Sequence, residues 1–377
     1  MRRLLAEDVN HVFAKTAHLW AEMRGGRLFL AGGTGFFGKW LLESFLTANS
    51  RLALNAEVTV LSRDPLKLLT DLPWAAENPA VRVLTGDIRT FPFEAREYTH
   101  FIHAASDSSL PANAANADEI IDVIVNGTRR LLRYAAESGA TKFLYCSSGA
   151  VYGRQQLTVP WISEESECGP QPAVPSSCYA EAKRVAETLC ASTAEAKAIE
   201  VKIARPFSFV GPYLPLDAHF AAGNFIRDLL EGRTIRLSGD GTPTRSYLYS
   251  ADLAVWLWTI LFRGQVSHPY NVGSESKVSI AELARLTARC SIPPLPVRLG
   301  TTDAEPNRYV PCTERARREL GLTDSFSLHE SLERTLRFYR QPAEAAQLPE
   351  QTKWQLSKSA THWSETPDLA ISSLKSA

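Results

Sequence analysis

The amino-acid sequence predicts an α/β protein built on a doubly wound parallel sheet, with a smaller, mostly helical lobe toward the C-terminus. Short apolar runs alternate with helical segments over residues 27–275, which is typical of strands joined by helices in a parallel sheet. These runs are almost continuously apolar, as expected of strands covered on both faces. A glycine-rich turn, GGTGFFG at 32–38, joins the first run to the helix that follows it.

The predicted elements follow one another in a regular order. Residues 4–23 form an amphipathic helix, which we expect to pack on the body of the protein or on a partner subunit. Strands are expected at 27–31, 57–62, 81–87, 99–105, 142–148, 201–205 and 269–273. Helices are expected at 39–46, 64–72, 116–138, 178–198, 220–231 and 251–262.

The pattern loosens after Arg205, where prolines and glycines become frequent. This change predicts a domain of residues 27–205 plus 250–275, and a second lobe of residues 206–249 plus 276–340. Residues 1–26 are then a helical extension. Residues 341–377 lack apolar periodicity and are predicted to be a flexible tail.

Composition excludes several classes of function. The formal net charge at pH 7 is 0, so we expect no nucleic-acid partner. The longest apolar run, 253–262, is too short to span a bilayer, and the charged N-terminus does not fit a secretory signal. The six cysteines include no C-x-x-C pair, and His100 and His103 point to opposite faces of one strand, so we expect no metal site. These features predict a cytoplasmic protein with reduced thiols.

The glycine-rich turn predicts a dinucleotide site of the Rossmann type. Gly32, Gly35 and Gly38 have the spacing G-x-x-G-x-x-G between a strand and a helix, where missing side chains let a pyrophosphate approach the helix N-terminus. The two residues between the last glycines, Phe36 and Phe37, belong to the same predicted site.

The residues at the end of the second strand indicate whether the protein binds NADP or NAD. Arg63 could pair with the 2′-phosphate of NADP and Ser62 could hydrogen-bond to it, whereas Asp64 could hold the 2′-hydroxyl of NAD. We expect NADP, with NAD as the alternative. Asp87 and Ile88 follow the third strand, and Asp87 is the candidate contact for the adenine amino group.

The segment YAEAK predicts proton transfer. Tyr179 and Lys183 lie four residues apart and therefore on one face of a helix. An ammonium group favours the phenolate of a neighbouring tyrosine, which can then exchange a proton with an alcohol while a hydride moves. Ser148 ends a predicted strand, at the edge of an open sheet where ligands bind, and could donate to the same oxygen.

Together these motifs resemble the extended short-chain dehydrogenase/reductases, the group of nucleotide-sugar epimerases, dehydratases, decarboxylases and ketoreductases. The resemblance covers residues 27–340, with motifs in the family's order: GGTGFFG, GDI, HAA, SSGAVYG, YAEAK, ARPFSFVGP and RSYLYSADLA. It implies that Ser148, Tyr179 and Lys183 are catalytic and that Lys183 also holds the nicotinamide ribose. It further implies that His103, Ala104 and Ala105 line the cofactor, and it suggests that Asn126 supports the helix beside them.

The same resemblance implies a nucleotide-sugar substrate and a dimer. Asn224 and Arg245 match positions that hold the sugar nucleotide, Arg308 is a candidate diphosphate contact, and Ser208 stands where many members have Asn. The helix at 116–138 and the Tyr179 helix would form a four-helix bundle in a homodimer.

One departure from the family pattern bears on the reaction. Gly149 and Ala150 stand where the 4,6-dehydratases have Asp and Glu and where the decarboxylases have Glu. We therefore expect a 4-ketoreductase of an NDP-4-keto-6-deoxyhexose, with a 4-epimerase that retains its cofactor as the first alternative. A 4,6-dehydratase or decarboxylase, with His219 as a substitute proton donor, and a non-catalytic Rossmann sensor are the remaining alternatives.

Overall fold

A computed structural model of the chain describes residues 2–105, 113, 115–218, 220–302 and 306–342. In these residues the central element is a parallel sheet of seven strands, which lie side by side in the order β3 (Val81–Thr85), β2 (Glu57–Ser62), β1 (Arg27–Ala31), β4 (His100–His103), β5 (Lys142–Cys146), β6 (Glu200–Pro206) and β11 (Pro269–Val272). The sheet confirms the predicted doubly wound α/β fold. Its strand order reverses at β1, whose neighbours are β2 on one side and β4 on the other.

The helices are α1 (Ala6–Thr16), α2 (Phe36–Arg51), α3 (Pro65–Asp71), α4 (Pro73–Ala76), α5 (Ala117–Glu137), α6 (Cys178–Ala196), α7 (Ala221–Leu230), α8 (Ser250–Arg263), α9 (Ile280–Arg289), α10 (Glu314–Leu320) and α11 (Leu328–Arg340). The shorter strands are β7 (Phe209–Val210), β8 (Ile235–Arg236), β9 (Thr244–Ser246), β10 (Leu248–Tyr249), β12 (Lys277–Ser279), β13 (Val297–Arg298) and β14 (Arg308–Tyr309).

Helices cover both faces of the sheet because alternate strand residues point to opposite sides. In β1, Leu28 and Leu30 join a core with side chains of α1, α2 and α8, whereas Phe29 joins the core under α5 and α6. This two-sided burial explains the apolar runs in the sequence. The register pairs Ala31 with His103, so the carboxyl ends of β1 and β4 lie side by side at the point where the strand order reverses.

The N-terminal segment packs on the body of the protein. Its helix α1 continues as a 3-10 helix, Ala17–Met23, and contacts α8 and α2. Val12, Leu19, Trp20 and Met23 are fully or almost fully buried, and the Trp20 and Trp258 rings lie 4.5 Å apart. Of the two predicted docking surfaces, the structure therefore shows packing on the protein's own body.

Residues after β6 build a third apolar core, which combines α7, α9 and α11 with short strands. Its members are Val210, Leu214, Ala222, Phe225, Ile226, Leu229, Ile235, Val278, Leu283, Ala284, Ala288, Leu332 and Leu336. The domain boundaries at 205, 249 and 275 remain a prediction. Most of the predicted tail, residues 343–377, lies outside the described residues, as does His219.

Within the described part of the chain, no helix has the length and apolarity that crossing a bilayer requires.

Candidate active site

The glycine-rich turn is packed too closely for side chains. Gly32 has a φ of +89°, and a Cβ there would lie 2.6 Å from the backbone of Ala104. A Cβ on Gly38 would lie 2.1 Å from the Gly32 carbonyl oxygen, so the third glycine lets α2 approach the turn. Gly35 caps α2 without a side chain, leaving the first N–H groups of that helix for an anion. This cradle fits a dinucleotide pyrophosphate.

Four of the predicted cofactor residues lie near this turn, along one edge of the sheet. Ala104 and Ala105 pack against Gly32, and the buried His103 shares a 3.0 Å hydrogen bond, through Nε2, with Thr128 Oγ1. Burial lowers the pKa of His103 well below its usual value, so its imidazole is neutral. Ile88 is buried against Gly127 of α5.

The residue of α5 that contacts β4, the strand that ends at His103, differs from the one that the sequence suggests. Asn126 is exposed and bonds within its own helix, to Asp122 and Arg129. Thr128, two residues later on a buried face, makes the contact with His103 instead. The sequence offered no signal for Thr128 beyond its place in the same helix.

Three of the side chains predicted to contact the cofactor, those of Ser62, Asp64 and Asp87, have hydrogen-bond partners within the protein. Ser62 Oγ donates to the Asp64 carbonyl oxygen at 2.8 Å, and Asp64 Oδ1 accepts from the Leu66 N–H at 3.0 Å to cap α3. Arg63 is exposed. Asp87 accepts a two-pronged bond from Arg89, with distances of 2.8 Å to Nε and 2.9 Å to Nη2, which holds the Asp87 pKa below its usual range.

Tyr179 and Lys183 lie on one face of α6, as predicted. The Lys183 side chain is buried, and its Nζ donates to the Cys146 carbonyl oxygen at 2.8 Å. This bond fixes the ammonium at the end of β5, 5.8 Å from the centroid of the Tyr179 ring and 5.0 Å from that of Tyr145. Tyr179 is only half-buried, so its phenol can meet a ligand.

Ser148 follows β5 and begins a 3-10 helix, Gly149–Tyr152. Its Oγ accepts from the Ala150 N–H at 3.1 Å, and the phenol oxygen of Tyr309 lies beside the neighbouring Gly149. The sequence does not single out Tyr309, although it directly follows the predicted substrate residue Arg308. Folding of β14 beside β9 brings it to the site.

The space beside Gly149 is occupied by aromatic side chains. A Cβ at this position would lie 2.6 Å from the Tyr309 hydroxyl and 2.7 Å from the Phe207 ring. The two rings pack with their centroids 4.5 Å apart. Aromatic groups therefore take the place that an acidic side chain would need.

A network of hydrogen bonds between Ser147, Glu187 and Arg205 lies next to the site. Ser147 Oγ donates to Glu187 Oε1 at 2.5 Å, and Arg205 donates to both oxygens of Glu187 at 3.0 and 2.6 Å. Arg205 also donates to the Tyr152 hydroxyl at 2.7 Å. Since Glu187 lies on α6 and Arg205 on β6, the network joins the Tyr179 helix to the strand end that carries Ser148.

The predicted substrate residues divide into two groups. Arg245 of β9 donates to the carbonyl oxygens of Thr244 and Asn307, and among the described residues no carboxylate pairs with it. Burial lowers the pKa of its guanidinium. The half-buried Asn224 and Ser208 belong to α7 and to the loop before β7. Arg308 instead donates to the carbonyl oxygens of Leu157 and Val159, and strand alternation turns it away from Tyr309 and Arg245.

A buried ammonium, a ligand-facing phenol and a phosphate cradle on one sheet edge characterise an enzyme that transfers hydride with a nicotinamide dinucleotide. The chain belongs to the NAD dependent epimerase/dehydratase family, whose model matches residues 28–273. This confirms the predicted resemblance to the extended short-chain dehydrogenase/reductases.

Individual relatives carry several reaction names. UDP-glucuronic acid decarboxylase 1 of Xenopus tropicalis is 28% identical over 319 residues, which are 84% of this chain and 73% of that protein. The solved structure of UDP-glucuronic acid 4-epimerase from Bacillus cereus, in complex with UDP-glucuronic acid and NAD, matches with a TM-score of 0.71 and 21% identity. It covers 84% of this chain and 99% of that one. The dTDP-glucose 4,6-dehydratase of Streptomyces venezuelae, with NAD bound, matches with a TM-score of 0.70 and 25% identity, covering 83% and 97%.

Proposed function

We propose that the protein is a 4-epimerase of a nucleotide-activated sugar and that it retains NAD through the reaction. The observation that carries this proposal is the filled space beside Gly149, where Tyr309 and Phe207 stand in place of an acid. With Ala150 as its neighbour, the segment offers no carboxylate to expel a sugar hydroxyl. Ser148, Tyr179 and Lys183 remain, and they suffice for oxidation and reduction at one carbon.

The three side chains have complementary roles in this proposal. Bound NAD would accept a hydride from the sugar C4 and return it to the opposite face. Tyr179 would take the proton of the C4 hydroxyl and later give it back, while the nearby Lys183 ammonium stabilises the phenolate. Ser148 would donate to the same oxygen and polarise the C4 carbonyl that forms between the two steps.

The loop after β2 supports NAD as the cofactor, over the NADP expected from the sequence. Ser62 and Asp64 are engaged within their own loop, so the serine hydroxyl has no free proton for a 2′-phosphate. The cited 4-epimerase and 4,6-dehydratase structures both contain NAD. Asp87 remains the proposed contact for the adenine amino group.

A 4-ketoreductase, the reaction expected first from the sequence, is the second candidate. The exposed Arg63 after β2 favours it, since net reductions commonly draw on NADPH. The relatives compared above are named as epimerase, dehydratase and decarboxylase, and these names favour the alternatives that the sequence left open over the reductase.

Arg245 is the proposed diphosphate contact, with Asn224 and Ser208 as further substrate contacts. The Arg245 guanidinium is half-buried without a carboxylate partner among the described residues, and its planar fork suits a diphosphate. Arg308 holds the 157–159 backbone, so the geometry supports it less strongly. UDP-glucuronic acid is the first substrate to test, because it appears in the names of two of the relatives.

We also propose a homodimer through α5 and α6, as the resemblance implies. The six cysteines are free thiols, which supports the predicted cytoplasmic location.

The proposed function is tested by incubating the purified protein with UDP-glucuronic acid, UDP-glucose and dTDP-glucose without added cofactor. We expect a C4 epimer of unchanged mass to form from one of them, and the same reaction to slow by orders of magnitude in Tyr179→Phe with NAD binding retained. NMR and mass spectrometry identify the product. Loss of water or of carbon dioxide would instead indicate a dehydratase or a decarboxylase. Turnover of a 4-keto sugar only with consumption of NADPH would indicate the reductase.

A further inference from the structure

One residue, Arg89, takes up most of the hydrogen-bonding capacity of Asp87. An ionised carboxylate offers about four lone-pair positions on its two oxygens. Asp87 Oδ1 accepts from the Arg89 backbone N–H and from Arg89 Nε, both at 2.8 Å, and Oδ2 accepts from Arg89 Nη2 at 2.9 Å. Among the contacts of the described residues, these bonds leave a position on Oδ2. The Asp87 side chain is 23% exposed, so a ligand can reach that position.

The Arg89 guanidinium is in turn attached to α5. Its Nη1 donates to Asp122 Oδ2 at 2.9 Å and to Glu119 Oε2 at 3.2 Å, and these two carboxylates lie on one face of the helix. The preceding residue, Ile88, packs on Gly127 of the same helix, where an added Cβ would lie 2.8 Å from the Ile88 side chain. The segment is therefore fixed to α5 at two points, which limits how far the guanidinium can turn.

Asp87 lies on the same edge of the sheet as the glycine-rich turn. It follows the carboxyl end of β3 by two residues, and β1, β2 and β3 are parallel. Its side chain is ionised at neutral pH, because the hydrogen bonds from Arg89 hold the Asp87 pKa below its usual range. A carboxylate without a proton only accepts hydrogen bonds. The position left on Oδ2 therefore suits an N–H donor, such as the 6-amino group of adenine, and disfavours a carbonyl oxygen.

We propose that Arg89 is a positioning residue for the adenine end of the cofactor. Its planar fork holds the Asp87 carboxylate in one orientation, with Oδ1 fully occupied and Oδ2 left to accept from the adenine 6-amino group. Arg89 acts through Asp87 and need not touch the nucleotide. The inference rests on the proposed contact between Asp87 and adenine and deepens it, because the arginine makes that contact selective for an amino group over a carbonyl.

Competition between NAD and its deamino analogue, nicotinamide hypoxanthine dinucleotide, tests the inference. A carbonyl oxygen replaces the 6-amino group in this analogue. The full-length protein is equilibrated with both nucleotides, chromatography of the bound nucleotide gives their affinity ratio, and equilibrium dialysis gives each Kd. The wild-type protein should prefer NAD. Arg89→Ala should weaken NAD binding about 3- to 10-fold, as the loss of one hydrogen bond does, and binding of the analogue by less than about twofold. Asp87→Ala should reduce the preference at least as much.

Arg82→Ala is the matched control. Arg82 forms another two-pronged pair, with distances of 3.3 and 3.2 Å to the two oxygens of Glu94, but it lies near the amino end of β3, away from the cofactor edge. This variant should keep the wild-type preference for NAD. If Arg89→Ala fails to fold, Arg89→Lys replaces it: the lysine keeps the charge beside α5 but lacks the planar fork, so the preference should still fall.

Three results would overturn the inference. Equal losses of affinity for both nucleotides in Arg89→Ala would show that the arginine acts on the cofactor site in general and not on the amino group. An unchanged preference in this variant, or a wild-type protein that binds both nucleotides equally, would overturn it as well. A wild-type protein that selects NAD through Arg89 but epimerises no sugar would overturn the proposed epimerase alone, because binding is measured without turnover.

Discussion

At the scale of single residues, Gly149 shapes this site because its missing side chain leaves room for aromatic groups. The sequence showed that Gly149 lacks the acid of the dehydratases, but it could not show what fills the space. The structure places the Tyr309 hydroxyl and the Phe207 ring there, both from segments far away in the chain. The Tyr309 hydroxyl can therefore occupy this space only because Gly149 has no Cβ.

Gly149→Ala should impair catalysis through Tyr309. The new methyl group would lie 2.6 Å from the Tyr309 phenol oxygen and 2.7 Å from the Phe207 ring, closer than a Cβ tolerates, so these rings or the segment that carries Ser148 must shift. We expect kcat to fall about 10- to 100-fold and the free energy of unfolding to fall by about 1–3 kcal/mol from overpacking. Steady-state kinetics and urea denaturation measure the two effects.

Gly239→Ala is the control for this substitution. The nearest atom to its added Cβ is in Thr302, at an ordinary 3.6 Å, so activity and stability should stay close to wild type. Wild-type kcat in Gly149→Ala would show that the Tyr309 position is unimportant.

At the scale of elements, one face of α6 carries the proposed catalytic residues. Tyr179, Lys183 and Glu187 follow at intervals of four residues, so they share that face. Lys183 attaches it to β5, and Glu187 attaches it to Ser147 and to Arg205 of β6. The sequence predicted the first two residues from their chemistry. The sequence gives no signal for Glu187, because its partners are distant in the chain.

Glu187→Gln should loosen the contact between α6 and the strand end. The Glu187 and Arg205 side chains are only 12% and 14% exposed, and removing one charge of a buried pair costs about 3–5 kcal/mol. We expect a loss near the lower end of this range, since glutamine keeps part of the hydrogen bonding. We also expect a lower kcat, because Ser147 and Ser148 would shift relative to Tyr179. Chemical denaturation and steady-state kinetics measure both changes.

Glu181→Gln provides a control on the same helix. Glu181 faces Arg184 at 3.8 Å with both side chains partly exposed, and such pairs contribute little. Equal effects of the two substitutions would mean that the Glu187 network does not position the site.

The length and burial of an element explain whether the sequence predicts it. The sequence predicts the ends of the strands of the large sheet to within two residues, because continuous apolar runs mark strands buried on both faces. The short strands β7–β10 and β12–β14 were missed, since two or three residues show no period. One of them, β14, delivers Tyr309, so the part of the site that the sequence failed to predict depends on pairings between distant segments.

At the scale of the whole molecule, the surfaces of α5 and α6 bear on assembly. These two helices pack on each other and on the sheet, yet Ile121 of α5 and Val185 of α6 remain 42% and 46% exposed. The sequence left open whether this apolar surface packs within the subunit or in a dimer. Most of it is buried within the subunit, and these two side chains supply the outer face that a four-helix bundle would use.

The homodimer proposal predicts that the double substitution Ile121→Lys and Val185→Lys yields a monomer. Two charged groups would be desolvated if this face were covered by a second copy, and burying unpaired charge strongly opposes association. Val266→Lys is the matched control: its side chain is 45% exposed and follows α8, outside the α5–α6 face, so this variant should stay dimeric. Light scattering gives the mass of each variant in solution, and circular dichroism verifies that all of them remain folded. A wild-type mass equal to that of one chain would contradict the dimer, and a double variant that stays dimeric would place the interface elsewhere.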